Sequence, residues 1–245
     1  MSENVTVLGM VISTMDIGEY DKRLVILTKE EGKISAFARG ARKPNSPFLA
    51  GSQPMAFGEF TLYRGRNSFS VSSMKISDYF SNSMTDIDSM YMGMYLLEFA
   101  DYFGKDGLEA GDMLKLLYFS MKVLAKAEIP ARLIRRVYEL KMLELNGLFP
   151  ELFSCVKCGS KENLDYFDVQ HNGMVCENCH GKVSEKYQVD QSTLYAFQYI
   201  VTSDINKLFS FNVTEEVLEK LDGIIESYVN QHVDKKFNSL ELVTE

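Results

Sequence analysis

An α+β fold is predicted, with a small N-terminal β-barrel followed by a helical domain that carries an inserted four-cysteine module. Three observations predict it. Apolar residues alternate with a period near two up to about residue 80 and near 3.6 after Ser81. Turn-forming residues punctuate the first part at short intervals. All four cysteines fall in two C-x2-C pairs inside an otherwise helical stretch.

Five strands are expected in order: Thr6 to Met15, Arg23 to Thr28, Lys33 to Ala41, Met55 to Tyr63 and Ser68 to Ile76. Glu30-Glu31-Gly32 supplies a hairpin turn between the second and third, and Arg64-Gly65-Arg66-Asn67 one between the fourth and fifth. The loop Arg42-Lys43-Pro44-Asn45-Ser46-Pro47 joins strands three and four. Five short strands within residues 1–80 suit a closed barrel such as an OB-fold, although other small barrels share that strand count. Helices follow over Asp86 to Phe103, Asp112 to Lys126 and Ala131 to Asn146, the third opened by Pro130 and stopped by Gly147. After a polar, turn-rich break, helices resume over Ser192 to Val201 and from Thr214, as N-cap, to about Phe237. The expected division is 1–80 barrel, 81–150 first helical part, 151–185 cysteine module and 186–245 second helical part.

The chain has 245 residues, 46% of them hydrophobic, enough for a sizeable core. No apolar run approaches the roughly 18 residues that a bilayer-spanning helix needs. Met1-Ser2-Glu3-Asn4 lacks the basic start and apolar core of a signal peptide, so a cytoplasmic location is expected. The formal charge of −8 is unevenly spread. Residues 1–80 carry 10 Lys/Arg against 8 Asp/Glu, a net of +2, which leaves −10 for the remainder.

Cys155-Val-Lys-Cys158 and Cys176-Glu-Asn-Cys179 give the spacing C-x2-C-x17-C-x2-C. Each pair brings two thiolates to one point, and two pairs complete the tetrahedral shell that zinc takes at about 2.3 Å per sulfur. Gly159 and Gly181 fit the tight turns of such knuckles. Four protein ligands leave no open position, so a structural zinc is expected. Cys176 to His180 also matches the C-x-x-C-H haem-attachment pattern, but that leaves the first pair unexplained. A redox dithiol lacks the βαβ context it normally has.

Arg39, Arg42, Lys43, Arg64 and Arg66 are five cations facing one acid, Glu59, between residues 39 and 66. Converging on a barrel rim near Phe37, Phe48, Tyr63 and Phe69, they would track phosphates while rings stack bases. Alternation makes some of those rings core, so at most two of the four are expected to be available. A solvated basic rim is the plain alternative. Arg132, Arg135 and Arg136, beside Leu133, Ile134 and Val137, could seat an acidic peptide tail or could form a salt-bridged helix surface. Asp86 and Asp88 are more ordinary as acids in a first helical turn than as metal ligands. No nucleotide-binding, metalloprotease or nucleophile-elbow motif occurs, and no enzymatic activity is expected.

The stretches Arg39-Gly40-Ala41-Arg42-Lys43-Pro44, Ser46-Pro47-Phe48, Gln53-Pro54 and Tyr63-Arg64-Gly65-Arg66 resemble the RecO recombination mediators of bacterial DNA repair. So does the order that follows, helices, a four-cysteine module after Leu148-Phe149-Pro150, and further helices. The resemblance implies an OB-fold and a helical domain with a zinc knuckle. It implies a non-enzymatic protein that binds single- and double-stranded DNA, anneals complementary strands and helps load RecA on DNA coated by single-strand-binding protein (SSB). Implied partners are RecR, RecF in some cases, and the acidic C-terminal tail of SSB, with a nucleoid-associated location in the cytoplasm. On this resemblance Arg39, Arg42, Lys43, Arg64 and Arg66 become DNA contacts, and Arg132, Arg135 and Arg136 a candidate tail seat. A zinc-containing RNA- or protein-binding regulatory module without annealing activity is the alternative.

Overall fold

The computed structural model describes residues 3–66, 68–84, 86–183 and 186–243. Met1 and Ser2 of the polar start, and Asn67 of the expected fourth turn, lie outside them. Five strands, β1 (Glu3–Ile17), β2 (Asp21–Thr28), β3 (Gly32–Ala38), β4 (Ala56–Arg64) and β5 (Phe69–Tyr79), close into a barrel in the order β1-β2-β3-β5-β4. Every pairing is antiparallel except β3 with β5.

Closure explains the length of β1. Glu3–Met10 pair with β4, and Gly9–Ile17 pair with β2, so one strand serves two neighbours with 15 residues where ordinary strands have about 5–6. Following the register once round the ring leads from Met15 through Arg23, Phe37, Ser70 and Tyr63 to Asn4, eleven positions back along β1. This offset is the shear by which tilted strands close around a filled interior. Register slips between Val11 and Ser13, a bulge that bends the strand. Inward positions alternate along each strand and supply the core, with Val7, Val11, Leu24, Ile26, Phe60 and Leu62 among its members.

Strand three was expected to reach Ala41 but ends at Ala38, because Gly40 takes φ +67° and the Lys43 amide donates to the Gly40 carbonyl in a turn. The β2–β3 turn falls where Glu30-Glu31-Gly32 predicts. Gly32 has φ +66°, and a Cβ there would lie 2.3 Å from the Lys105 and Leu108 carbonyl oxygens.

Helices α1 (Ile87–Phe103) and α2 (Gly111–Lys126) belong to the same compact unit as the barrel. That unit takes in the described residues up to Glu128 and those from Phe237 on, so the chain returns to it at its end. Asp86 caps α1 by accepting from the Ser89 amide at 2.7 Å, which explains one of the paired aspartates. The amides of Gly107 and Ala110 donate to the carbonyls of Glu31 and Lys29, tying the α1–α2 connection to the β2–β3 turn. Phe237 packs against Tyr95, Phe99 and Tyr102, and Ser239 donates to Glu98 at 2.9 Å. The chain leaves this unit in the α2–α3 connection and rejoins it at Phe237.

The second unit, Ile129–Lys236, contains α3 (Ala131–Leu145), α4 (Gln191–Thr202) and α5 (Glu215–His232). Gly147 stops α3 in a Schellman arrangement, with φ +78°, its amide on the Glu144 carbonyl and that of Leu148 on the Leu143 carbonyl. The turn-rich break holds a three-stranded sheet that the periodicity did not predict. Its strands, β6 (Leu164–Asp168), β7 (Gly173–Cys176) and β8 (Lys186–Gln188), are only 3 to 5 residues long, too short for alternation to register.

Arg136 is 2% exposed and joins α3 to α5. Its guanidinium meets Glu139 at 2.8 Å, Asp222, and Glu226 at 3.5 Å. Arg132 reaches Asp222 at 3.0 Å and Glu215 at 3.3 Å, and Arg135 reaches Glu139 at 2.8 Å. Glu139 is wholly buried, so these cations compensate a charge that would otherwise be costly. The hydrogen bonds from Arg136 and Arg132 overcome burial and lower the Asp222 carboxyl below its ordinary range. On α4, the Lys220 ammonium and the Thr193 amide and hydroxyl lower the Asp190 carboxyl, the helix cap, to about 2.

Two outcomes follow. A Cβ at Gly58 would lie 2.3 Å from the Lys75 carbonyl oxygen and 2.7 Å from the Ile76 Cα, so Gly58→Ala must part β4 from β5. A loss of about 2–3 kcal/mol in urea unfolding is expected. For Asp190 the folded value lies below the unfolded one of about 3.9. Its charge therefore stabilises the fold above that pH, and the contribution is lost as pH falls toward 2. Asp190→Asn keeps the cap. The stability gap to the parent should be flat above about pH 5, at no more than about 1 kcal/mol, and should close on acidification.

Candidate nucleic-acid interface and cysteine cluster

The five candidate cations of the barrel are exposed but do not converge on one point. Arg42 reaches Asp16 and the Gly18 carbonyl oxygen, both at 3.3 Å, and the Lys43 ammonium lies 5.6 Å from the centre of the Tyr20 ring. Both therefore gather at the β1–β2 turn. Arg39 stands nearby, just beyond β3, where the following Gly40 amide donates to Asp21. The Arg64 guanidinium turns the other way, to Glu31 at 2.6 Å in the β2–β3 turn, and lies over the Phe69 ring at 5.1 Å. The 8 residues of β2 separate those two turns by roughly 25 Å. Arg39 and Arg66 have no ion-pair partner among the described residues.

Pairing register sorts the four candidate rings. Phe48 and Phe69 pack against the barrel core. Phe37 and Tyr63 alternate with the inward Ala36, Ala38 and Leu62 and so face outward, Phe37 half-buried and Tyr63 44% exposed. Arg23, directly opposite Phe37 on β2, was absent from the sequence-based candidates. Alternation alone puts it on the outer face, but only the register puts it beside an outward ring.

Arg132, Arg135 and Arg136 bridge the α3 and α5 carboxylates. Only Arg132 keeps an open guanidinium, with its side chain 42% exposed, while Arg136 is enclosed.

The four cysteines meet as their spacing predicts. Their sulfurs all lie within 4.8 Å of one another, and Cys158 Sγ is 3.6 Å from Cys176 Sγ. Sulfurs about 2.3 Å from a tetrahedral ion stand roughly 3.8 Å apart, so the donor set fits a thiolate-bound metal. Cys155, Cys176 and Cys179 are buried and Cys158 is exposed. Gly159 has φ +75° and its amide donates to the Cys155 carbonyl, closing the first knuckle. Gly181 lies in a tight 3-10 turn, His180–Lys182, with no positive φ and open space around it. His180 stacks on Tyr166 with centroids 4.7 Å apart and stays outside the cluster. Burial pushes the Cys155 thiol up, but the amides of Cys176, Lys157 and Cys158 outweigh it and bring it down to about 6. Burial and the Cys158 and Cys176 sulfurs push Cys179 up to about 12. Four thiolates so close repel one another, and a bound cation is what would let all four ionise.

Among the described residues no helix is long and apolar enough to cross a membrane. The family model described as Recombination protein O N terminal matches residues 1–80, and that described as Recombination protein O C terminal matches residues 84–241. A protein of Alkaliphilus metalliredigens named DNA repair protein RecO is 33% identical over 96% of this chain and 96% of its own length. Proteins of the same name from Acetivibrio thermocellus and a Thermoanaerobacter species are 30% and 28% identical, each over 96% of this chain and over 94% and 95% of their own lengths. Matched in both its parts and by relatives along nearly its whole length, the chain belongs to the RecO family.

Proposed function

We propose that this chain is a recombination mediator in DNA repair. In this reading it binds single- and double-stranded DNA, anneals complementary strands and assists loading of RecA on SSB-coated single strands. Membership in a family whose relatives are named DNA repair proteins carries it. The strand order β1-β2-β3-β5-β4, with its long, twice-paired first strand, supports reading the barrel as an OB-fold.

Arg39, Arg42 and Lys43 at one turn, with Arg64 and Arg66 at the far side, neutralise phosphates in this mechanism. Two cationic sites on one barrel hold a strand at separated points and leave its bases accessible for pairing. The helical region tethers the protein to SSB-coated DNA, raising local concentration, and the protein's further partners are RecR and, in some cases, RecF. For the acidic SSB tail, Arg132 is the available cation of its trio, and a tail seated there competes with Glu215 and Asp222. The cysteine cluster holds zinc as a structural ion. When bound, zinc supplies positive charge that keeps Cys155, Cys158, Cys176 and Cys179 ionised and joins the two knuckles to the β6–β8 sheet.

Replacing Arg39 and Lys43 by Gln should weaken binding to all sequences and reduce the slope of log affinity against log salt, by about 0.7 per lost phosphate contact on single strands. Unchanged slopes in anisotropy titrations would remove this turn from the interface. Elemental analysis should find one zinc per chain, and chelation should unfold the cysteine module, as read by loss of amide-exchange protection in Leu164–Cys176. Metal-free protein with four titratable thiols and an intact module would refute the structural role.

A further inference from the structure

We infer that a cleft beside the β6–β8 sheet seats an arginine side chain carried by a basic segment of a partner protein. Such a seat is separate from the DNA contacts proposed above and does not depend on them. The cleft has a volume of about 540 Å³ and is lined by residues of the Ile129–Lys236 unit alone. Asp165 and Tyr166 come to it from β6, Glu177 from the second cysteine knuckle, Gln188 to Gln191 from the β8–α4 link, and Lys220 from α5. Clefts that hold organic ligands run from about 300 to 1,000 Å³.

A bulge builds one wall. Pairing with β7 passes from Leu164 opposite Cys176 to Tyr166 opposite Val175, so Asp165 is the extra residue of β6. Along a regular strand Asp165 and Tyr166 would face opposite sides. The bulge lets both line the cleft, while Leu164 and Phe167 on either side stay buried. The Asp165 carbonyl accepts from the Val189 amide at 2.8 Å, which draws the start of α4 to the same place. The Tyr166 ring is already occupied by His180, stacked with centroids 4.7 Å apart, and by the Lys186 ammonium, 5.3 Å from its centre. Tyr166 therefore serves as a wall, and its hydroxyl donates to Glu177 and holds that carboxylate at the cleft.

Charge selects the occupant. Three carboxylates line the cleft against one ammonium, and Lys220 is committed to Asp190 at 2.7 Å and to Glu216 at 2.8 Å. Among the described residues Asp165 has no cation partner, and Glu177 has only His180, 3.7 Å away. An anion is repelled by such a lining. A bare metal ion is poorly served too, because among the described residues only the four cysteines form a group of three or more ligands close enough to share one. Carboxylates set apart across a cleft, with the exposed Gln188 and Gln191 beside them, suit a cation whose donors are spread over a plane. Guanidinium presents several N–H donors in a fixed fork, whereas ammonium is a compact, strongly hydrated point charge. Free arginine brings its own carboxylate, which these acids repel. Within a polypeptide that carboxylate is an amide, so the fitting source is a protein segment.

Amide NMR of the full-length protein, titrated at low salt with a Gly-Ser peptide carrying one central arginine, tests this seat. Saturating shifts are expected at Asp165, Glu177, Gln188 and Gln191. Replacing the arginine by neutral citrulline should abolish them, and lysine in its place should bind more weakly. Asp165→Asn and Glu177→Gln keep side-chain size and should each weaken the arginine peptide by about tenfold, the scale of a charge-assisted hydrogen bond. Glu162→Gln makes the same change of charge at an exposed acid outside the cleft and should alter binding by less than about twofold. Lys220→Gln frees Asp190 and should tighten binding by about two- to fivefold, a sign that loss of structure would not give. Equal binding of the arginine and citrulline peptides, or unchanged binding in both Asp165→Asn and Glu177→Gln, would overturn the seat. Weakening by Glu162→Gln to the same degree would reduce it to a general effect of net charge and overturn it as well. A lysine peptide or spermidine that matches the arginine peptide in affinity and in shifts would overturn the assignment to an arginine-bearing partner.

Discussion

The double pairing of β1 is the constraint on which the barrel depends. One strand must meet β4 with its first half and β2 with its second, and a continuous segment can do so only by tilting and bending. Gly9 lies where the two pairings overlap, and a Cβ there would come within 2.7 Å of Ile26 Cγ2. The resulting shear decides which residues of distant strands become neighbours. Arg23, Phe37, Ser70 and Tyr63 share a line because the ring closes with that offset.

Charge is used differently in the two compact units. In the barrel, the five candidate cations stand at strand ends and turns and are exposed, Arg64 paired with Glu31 and Arg42 with Asp16, where solvent screens them and an arriving phosphate chain can compete. In Ile129–Lys236, arginines of α3 are committed to carboxylates of α3 and α5. Glu139 and Arg136 are each tolerable inside because the other is present. An overall charge of −8 therefore says little about either surface. A basic residue becomes a candidate ligand contact only when the fold has not already spent it.

Much of the architecture was legible in the chain. Five strands, the β2–β3 turn at Glu30-Glu31-Gly32, the Gly147 stop and the meeting of four cysteines all follow from local chemistry, since each depends on residues close in sequence or on a spacing with few uses. The β6–β8 sheet was not legible, because strands of 3 to 5 residues carry too little pattern. Nor was the grouping of α1 and α2 with the barrel, which depends on backbone bonds such as that of the Gly107 amide to the Glu31 carbonyl.

For the candidate sites, the sequence by itself determined residue types: five cations near aromatic rings, three arginines on one helix, and four thiols in two knuckles. Tertiary structure decided their availability. Arg136 is enclosed because α5 brings Asp222 to it across 86 positions, and Phe48 and Phe69 are withdrawn into packing while Phe37 and Tyr63 stay outside. Local periodicity tells which side of a strand a residue faces. Which residues lie next to it is set by register and closure, properties of strand pairs that no single segment contains.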